Sequence, residues 1–160
     1  FSDPVGTFIS AAVFTFIFLS HELAHKAVAK QHGLWAEFRI NILSAAFTIM
    51  TLTLPVIKIV SPGAVNIAGA ADKRTIGVTA LAGPLTSIGI TGVFLIFIFL
   101  IPGSTNDLLV NSAGLAAWIA VFNLIPIGML DGAKVFWWNK TVWATSFVVA
   151  VALMLVTLIF

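Results

Sequence analysis

Cysteine is absent from this chain, which excludes disulfides and thiolate metal sites and leaves histidine and carboxylate as the only strong metal ligands. Charge is scarce as well. Only 9% of the 160 residues are charged and 60% are hydrophobic, whereas soluble domains carry about 25% charged residues. The mean hydropathy of +1.11 excludes an ordinary soluble globule and predicts a polytopic membrane protein. The net charge is +2 and no Lys/Arg-rich run occurs, so nothing here suits a nucleic-acid partner. The first apolar run lacks both a basic leader and a small-residue cleavage site, so it reads as a retained span rather than a signal peptide. Phe1 in place of Met marks a trimmed chain whose native form can extend further upstream.

The length accommodates four or five spans of about 20 residues, packed as one helical domain over 1–160. Residues 4–32 read as one long helix, with Pro4 suited to the first turn and Gly33 as a natural stop. Residues 75–101, 107–125 and 141–160 read as three more, the last entered through Trp137, Trp138 and Trp143, which resemble an interfacial aromatic belt. Residues 126–140 read as a loop. Between 38 and 70 the pattern changes: Phe38, Ile40 and Ile42 alternate with Arg39 and Asn41, and Leu52 and Leu54 alternate with Thr51 and Thr53, which is strand periodicity. Pro55, Pro62, Gly63 and Gly69 then interrupt the segment. A single helix over 40–60 is the alternative, but it would separate Lys73 and Arg74 from the other basic residues. If 38–72 enters and leaves on one side, all eight Lys and Arg fall near one face, which the positive-inside rule makes cytoplasmic. The fold expected is therefore an all-α membrane protein with a re-entrant, partly extended segment. Non-helical backbone at that depth needs a protein-lined or wet cavity.

The unusual stretch is FLSHELAHKAVAK, residues 18–30. His21 and His25 are four apart, so on a helix both rings leave one face, a turn apart, and can grip one ion. Glu22 lies beside them. In H-E-x-x-H zinc hydrolases the glutamate is a general base rather than a ligand. Each ionisable group near mid-bilayer costs about 2.5 to 3.5 kcal/mol on insertion scales and is retained for a partner or a function. A capping or pairing role for these residues at headgroup level, with Lys26 as partner, explains each of them singly but not their joint spacing.

A hydrolytic zinc site needs a third protein ligand and one open position. Asp3 and Asp107 fall toward the opposite face, while Glu37 and Asp72 read as solvated or paired loop acids beside Arg39 and Lys73–Arg74. Asp131 stands apart because it closes the apolar run VFNLIPIGML and precedes Gly132, which permits a tight turn and close backbone approach. His32 is a weaker substitute that more simply finishes the first helix.

These pieces resemble a known family, the site-2 proteases, zinc metalloproteases that cut within the membrane. HELAH at 21–25 resembles its H-E-x-x-H. NLIPIGMLDG at 123–132 fits its N-x-x-P-x-x-x-x-D-G motif at Asn123, Pro126, Asp131 and Gly132, and LAGPLTSIGI at 81–90 resembles the Gly-Pro motif of its middle core helix. The likeness spans about 20–132, a three-helix catalytic core. It implies one Zn2+ per chain held by His21, His25 and Asp131, with Glu22 as the catalytic base. It also implies an extended membrane loop between the first two core helices, corresponding to 38–70. Substrate contacts would then come from Asn123 and from SPGAVNIAG at 61–69, with Pro62, Gly63 and Asn66 presenting edge backbone to an unwound transmembrane substrate. For Asn123, a hydrogen bond to backbone freed by Pro126 serves equally well. Gly83–Pro84 reads as close helix packing and a kink rather than direct chemistry.

The function expected is an intramembrane zinc endopeptidase acting on transmembrane segments of protein substrates in the lipid bilayer, with its site toward the cytoplasm. A zinc or divalent metal transporter is the alternative, but transport needs ligands strung along a path, and the sequence offers one cluster. A non-catalytic membrane scaffold would bind no metal and be indifferent to Glu22.

Overall fold

The computed structural model describes residues 4–40, 63–100 and 107–160. Its elements run α1 (Pro4–Gln31), β1 (Trp35–Ile40), β2 (Gly63–Ala68), α2 (Lys73–Leu100), α3 (Asp107–Asn123), α4 (Asp131–Trp138) and α5 (Lys140–Thr157). The protein is mostly helical. Among the described residues three helices are long and apolar enough to cross a membrane: Phe8–Gln31, Lys73–Leu100 and Lys140–Thr157. The fourth expected span, α3, has 17 residues, or roughly 25 Å at 1.5 Å per residue, short of the roughly 30 Å hydrocarbon core.

The distribution of polarity is that of a membrane protein. Phe8, Phe16, Leu23, Ile96, Phe99, Val148 and Leu155 are exposed, while His21, His25, Ser87, Thr91, Ser112 and Asp131 are buried. An apolar exterior around a partly polar interior is stable where lipid replaces water as the surrounding solvent. Hydroxyls that cannot reach water donate to their own helices: Thr15 to the Ala11 carbonyl, Thr86 to Ala82, Thr91 to Ser87 and Ser112 to Leu108. Each leaves the helical backbone intact and removes an unpaired donor from lipid.

Local sequence explains where the elements stop. Gly33 has φ +73°, and its N–H donates to the Lys30 carbonyl while that of Leu34 donates to Ala29, both at 3.0 Å. This is a Schellman ending, and Leu34 packs on Ala29 as such endings favour. Asp72, read from sequence as a loop acid, caps α2 instead: its Oδ1 accepts from the Thr75 N–H at 2.8 Å. Hydrogen bonds from Thr75 hold the Asp72 carboxyl below its ordinary value. This capping contribution is therefore present above the usual aspartate pKa and fades as the pH falls through the depressed one.

The segment 126–140, expected as a loop, contains α4. Its Trp138 and the neighbouring Trp143 are not a simple interfacial belt; both pack on the core formed by Ala80, Leu81, Ala120, Leu124, Val135 and Ala150, and only Trp137 of the three is exposed. The Trp143 indole N–H donates to the Leu124 carbonyl at 2.8 Å, tying α5 to the end of α3. Asn139 joins α4 to α5, its Oδ1 accepting from the Thr141 and Val142 N–H groups.

α2 is the central helix, packed on α1, α3, α4 and α5. β1 and β2 form an antiparallel pair with Phe38 opposite Val65 and Glu37 opposite Asn66, so extended structure occurs where the sequence alternates. The second alternation at 51–54, the re-entrant course and the single-helix alternative for 40–60 all lie outside the described residues.

The contact between α2 and α4 depends on Gly77, whose missing side chain makes room for Trp138: a Cβ there would overlap the indole. A Gly77→Ala protein should lose about 1 to 3 kcal/mol through overpacking and melt at lower temperature in detergent. Gly89, on the same helix, has nothing within 4 Å of such a Cβ, so Gly89→Ala should melt at or above the wild-type temperature.

Candidate metal centre

α1 buries Ile17, His21, His25 and Ala29, spaced by four, and α2 buries Thr79, Gly83, Ser87 and Thr91 with the same spacing. The two stripes face each other in antiparallel order. His25 Nδ1 lies 2.7 Å from the Thr79 carbonyl oxygen and His21 Nδ1 lies 3.0 Å from Ser87 Oγ. A carbonyl oxygen only accepts, so His25 Nδ1 carries the proton and the Nε2 of a neutral ring is left with a lone pair. Ser87 allows the same tautomer at His21. Such partners on the far nitrogen orient metal-binding imidazoles generally.

Both Nε2 atoms turn toward Asp131. His25 Nε2 lies 3.0 Å from Asp131 Oδ2 and His21 Nε2 lies 3.5 Å from it, while the two Nε2 atoms are 3.2 Å apart. Three electron-rich atoms facing one another in a buried space repel unless a cation stands among them. A tetrahedral zinc ion, with bonds of about 2.0 to 2.1 Å, sets its ligand atoms roughly 3.3 to 3.4 Å apart. The observed separations bracket that value, so the donor set fits zinc in both chemistry and spacing. Among the described residues this is the one cluster of three or more His, Cys, Asp or Glu side chains able to hold an ion.

Asp131 comes from outside the α1–α2 pair, as the first residue of α4, where the helix dipole favours an anion. Gly132 puts it there. A Cβ on Gly132 would overlap the Leu124 backbone, so only glycine lets the start of α4 lie directly on the end of α3. Lys134 Nζ lies 3.3 Å from Asp131 Oδ1, which leaves Oδ2 for the imidazoles. Burial opposes ionisation of Asp131, while the Lys134 ammonium beside Oδ1 favours the carboxylate.

Glu22, half-buried beside the cluster, accepts the Val65 N–H of β2 on Oε2 at 3.0 Å. The hairpin thus sits on α1 next to the imidazoles, with Val65 packed against Ala29, Leu34 and Ala36. Of the residues expected to touch substrate, Gly63 opens β2 and Asn66 is exposed on it, whereas Pro62 lies outside the described residues. Asn123 donates its side-chain amide to the Ile119 carbonyl of its own helix at 2.9 Å, a group other than the Phe122 carbonyl that Pro126 frees. His32 is exposed, its Nδ1 turned to the Val28 carbonyl, and takes no part in the cluster.

Sequence reasoning missed Ser87, the Thr79 carbonyl, Lys134 and Val65. A serine four residues after a glycine carries no signal by itself; it gains meaning only once Gly83 is seen to face an imidazole. Gly83–Pro84 was read as packing. The packing is real, and its partner is the site: a Cβ on Gly83 would overlap His25 Nε2 and lie 2.6 Å from His21 Nε2.

A buried cluster of two histidines and one carboxylate within apolar helices, with an adjoining glutamate, is the arrangement of a membrane metallohydrolase. A protein of Methanocaldococcus jannaschii named "Putative zinc metalloprotease MJ0611" is 34% identical to this chain over 130 residues, covering 79% of the chain and 68% of the relative. The chain belongs to that relative's family of zinc metalloproteases. No family model matches the sequence, and no solved structure does.

Because the cradle has no spare volume at Gly83, Gly83→Ala should lose stoichiometric zinc, measured as metal content after gel filtration. Ser87→Ala leaves the volume unchanged and removes only the partner of His21 Nδ1. It should weaken zinc about 10- to 100-fold in competition titrations against a chelator of known affinity.

Proposed function

We propose that the protein is an intramembrane zinc endopeptidase of the site-2 type, hydrolysing peptide bonds in transmembrane segments of other proteins. The observation that carries this reading is the meeting of His21, His25 and Asp131 within an apolar helical bundle, with Glu22 on the adjoining position of the same helix. His21, His25 and Asp131 would hold one zinc ion, which when bound polarises a scissile carbonyl and acidifies water.

The chain's own residues do the rest. Glu22 takes a proton from the attacking water as its oxygen bonds to the scissile carbonyl carbon. It returns that proton to the amide nitrogen as the C–N bond breaks, leaving a carboxylate and an amine. Lys134 keeps Asp131 ionised and turned inward. The outer edge of β2 offers main-chain groups to a substrate that has been unwound, which a transmembrane helix must be before its carbonyls can be attacked. Gly63, with Pro62 before it, belongs to that receiving edge in this reading, whereas Asn66, next to Val65, turns its main-chain groups toward β1. The basic residues at the end of α1 and at the starts of α2 and α5 support a cytoplasmic placement of the site.

Transport of the metal fits less well. A transport path needs successive ligand sets, and the described residues contain one set.

Protein purified in nanodiscs should contain about one zinc per chain and cleave a transmembrane substrate. Glu22→Gln should lower cleavage at least 10²- to 10⁴-fold with its zinc content unchanged. Full cleavage by Glu22→Gln would overturn the assignment of the base, and loss of zinc uptake into vesicles would favour transport.

A further inference from the structure

The contact between Glu22 and β2 has a geometry that assigns Val65 a role. In an antiparallel pair, the N–H and C=O of one residue point to the same side, and successive residues alternate. The Val65 N–H goes to Glu22 rather than to Phe38, its partner across the pair. Gly63, Val65 and Ile67 therefore turn their main-chain groups away from β1, and Glu22 is bound to the middle one of the three. The position is well fixed, because Val65 packs against the buried cluster that Ala29 of α1 forms with Leu34 and Ala36. Ala29 lies two helical turns beyond Glu22 on that helix. A side chain anchored on α1 and an N–H bonded to α1 make Val65 a rigid strut between hairpin and catalytic helix.

We infer that the Val65 main-chain N–H is a positioning group for Glu22, holding Oε2 so that Oε1 is presented to the water. This inference rests on the proposed hydrolytic function. A glutamate has three rotatable side-chain bonds before its carboxylate, and a base displaced by about 1 Å can cost 100-fold in rate. The bond restricts that freedom with a group that no substitution other than proline removes. It also means that the strand offered to substrate and the base that acts on it move as one body. A substrate strand laid along Gly63 and Ile67 is thereby set in register with the base.

The test replaces valine 65 with its α-hydroxy acid, which exchanges the N–H for an ester oxygen and keeps the side chain. Val65→Pro removes the same donor; its missing N–H faces away from β1, so the pairing is spared. Val65→Ala keeps the donor and controls for lost packing. The ester and Val65→Pro should lower kcat about tenfold or more with KM within about twofold of wild type. Zinc content should stay unchanged in both, and Val65→Ala, which keeps the N–H and loses only packing, should lower kcat less than the ester does. Independently of turnover, the Val65 amide should exchange with solvent about tenfold faster in Glu22→Ala than in wild type. Wild-type kcat in the ester protein, or a raised KM at unchanged kcat, would overturn the inference, the latter by showing that the N–H receives substrate. Unchanged amide exchange in Glu22→Ala would overturn it too. Wild-type protein that binds zinc but cleaves nothing would instead refute the proposed function, and the exchange experiment would still report on the contact.

Discussion

Two imidazole nitrogens and a carboxylate oxygen, brought within 3.5 Å of one another, are the constraint around which the bundle is organised. None of the three can face the others without a cation, and none can face lipid. The surrounding chain answers both demands. α2 supplies an oxygen behind each imidazole and a glycine in front, so the rings are aimed and given room by one stripe of one helix. α4 supplies the carboxylate from a third direction, its other oxygen held by Lys134.

The small residues belong to the same account. Gly77, Gly83 and Gly132 each sit where a Cβ would overlap a neighbour, respectively Trp138, the imidazoles and the Leu124 backbone. In lipid, helices are held by close packing rather than by exclusion of water, and these three positions bring α1, α3 and α4 close to α2 and to each other. Thr91 and Ser112, left inside, donate to carbonyls of their own helices, and Thr79 Oγ1 is a buried hydroxyl left without a partner among the described residues. A buried polar centre can then coexist with an exterior of phenylalanine, leucine and valine without exposing an unpaired donor.

The hairpin is joined to the candidate centre through Glu22. Had β1 and β2 been separate from α1, a glutamate beside the metal ligands would have only its own rotamers to place it. Instead the Val65 N–H meets Glu22 from the strand side, next to the candidate centre. Extended backbone in a helical membrane protein is tolerated where protein satisfies it, and here one of its outward groups is satisfied by the Glu22 carboxylate.

Sequence alone determined the membrane class, the long first helix with its Gly33 stop, the strand-like alternation after it, and the four side chains that converge. These follow from composition, period and residue type, which are local quantities. It misread 126–140 as a loop, and it had Asp72 as a solvated or paired loop acid without its capping bond. α4 is one short helix stabilised by Trp138 against Gly77, and a cap is recognisable only when the helix start is fixed. Ser87, Lys134 and the Val65 N–H were beyond its reach, since each matters through a partner between three and 66 positions away. Tertiary structure decided those partnerships, because a hydrogen bond or a vacancy the size of a methyl group depends on where two helices cross, and no local pattern encodes that distance.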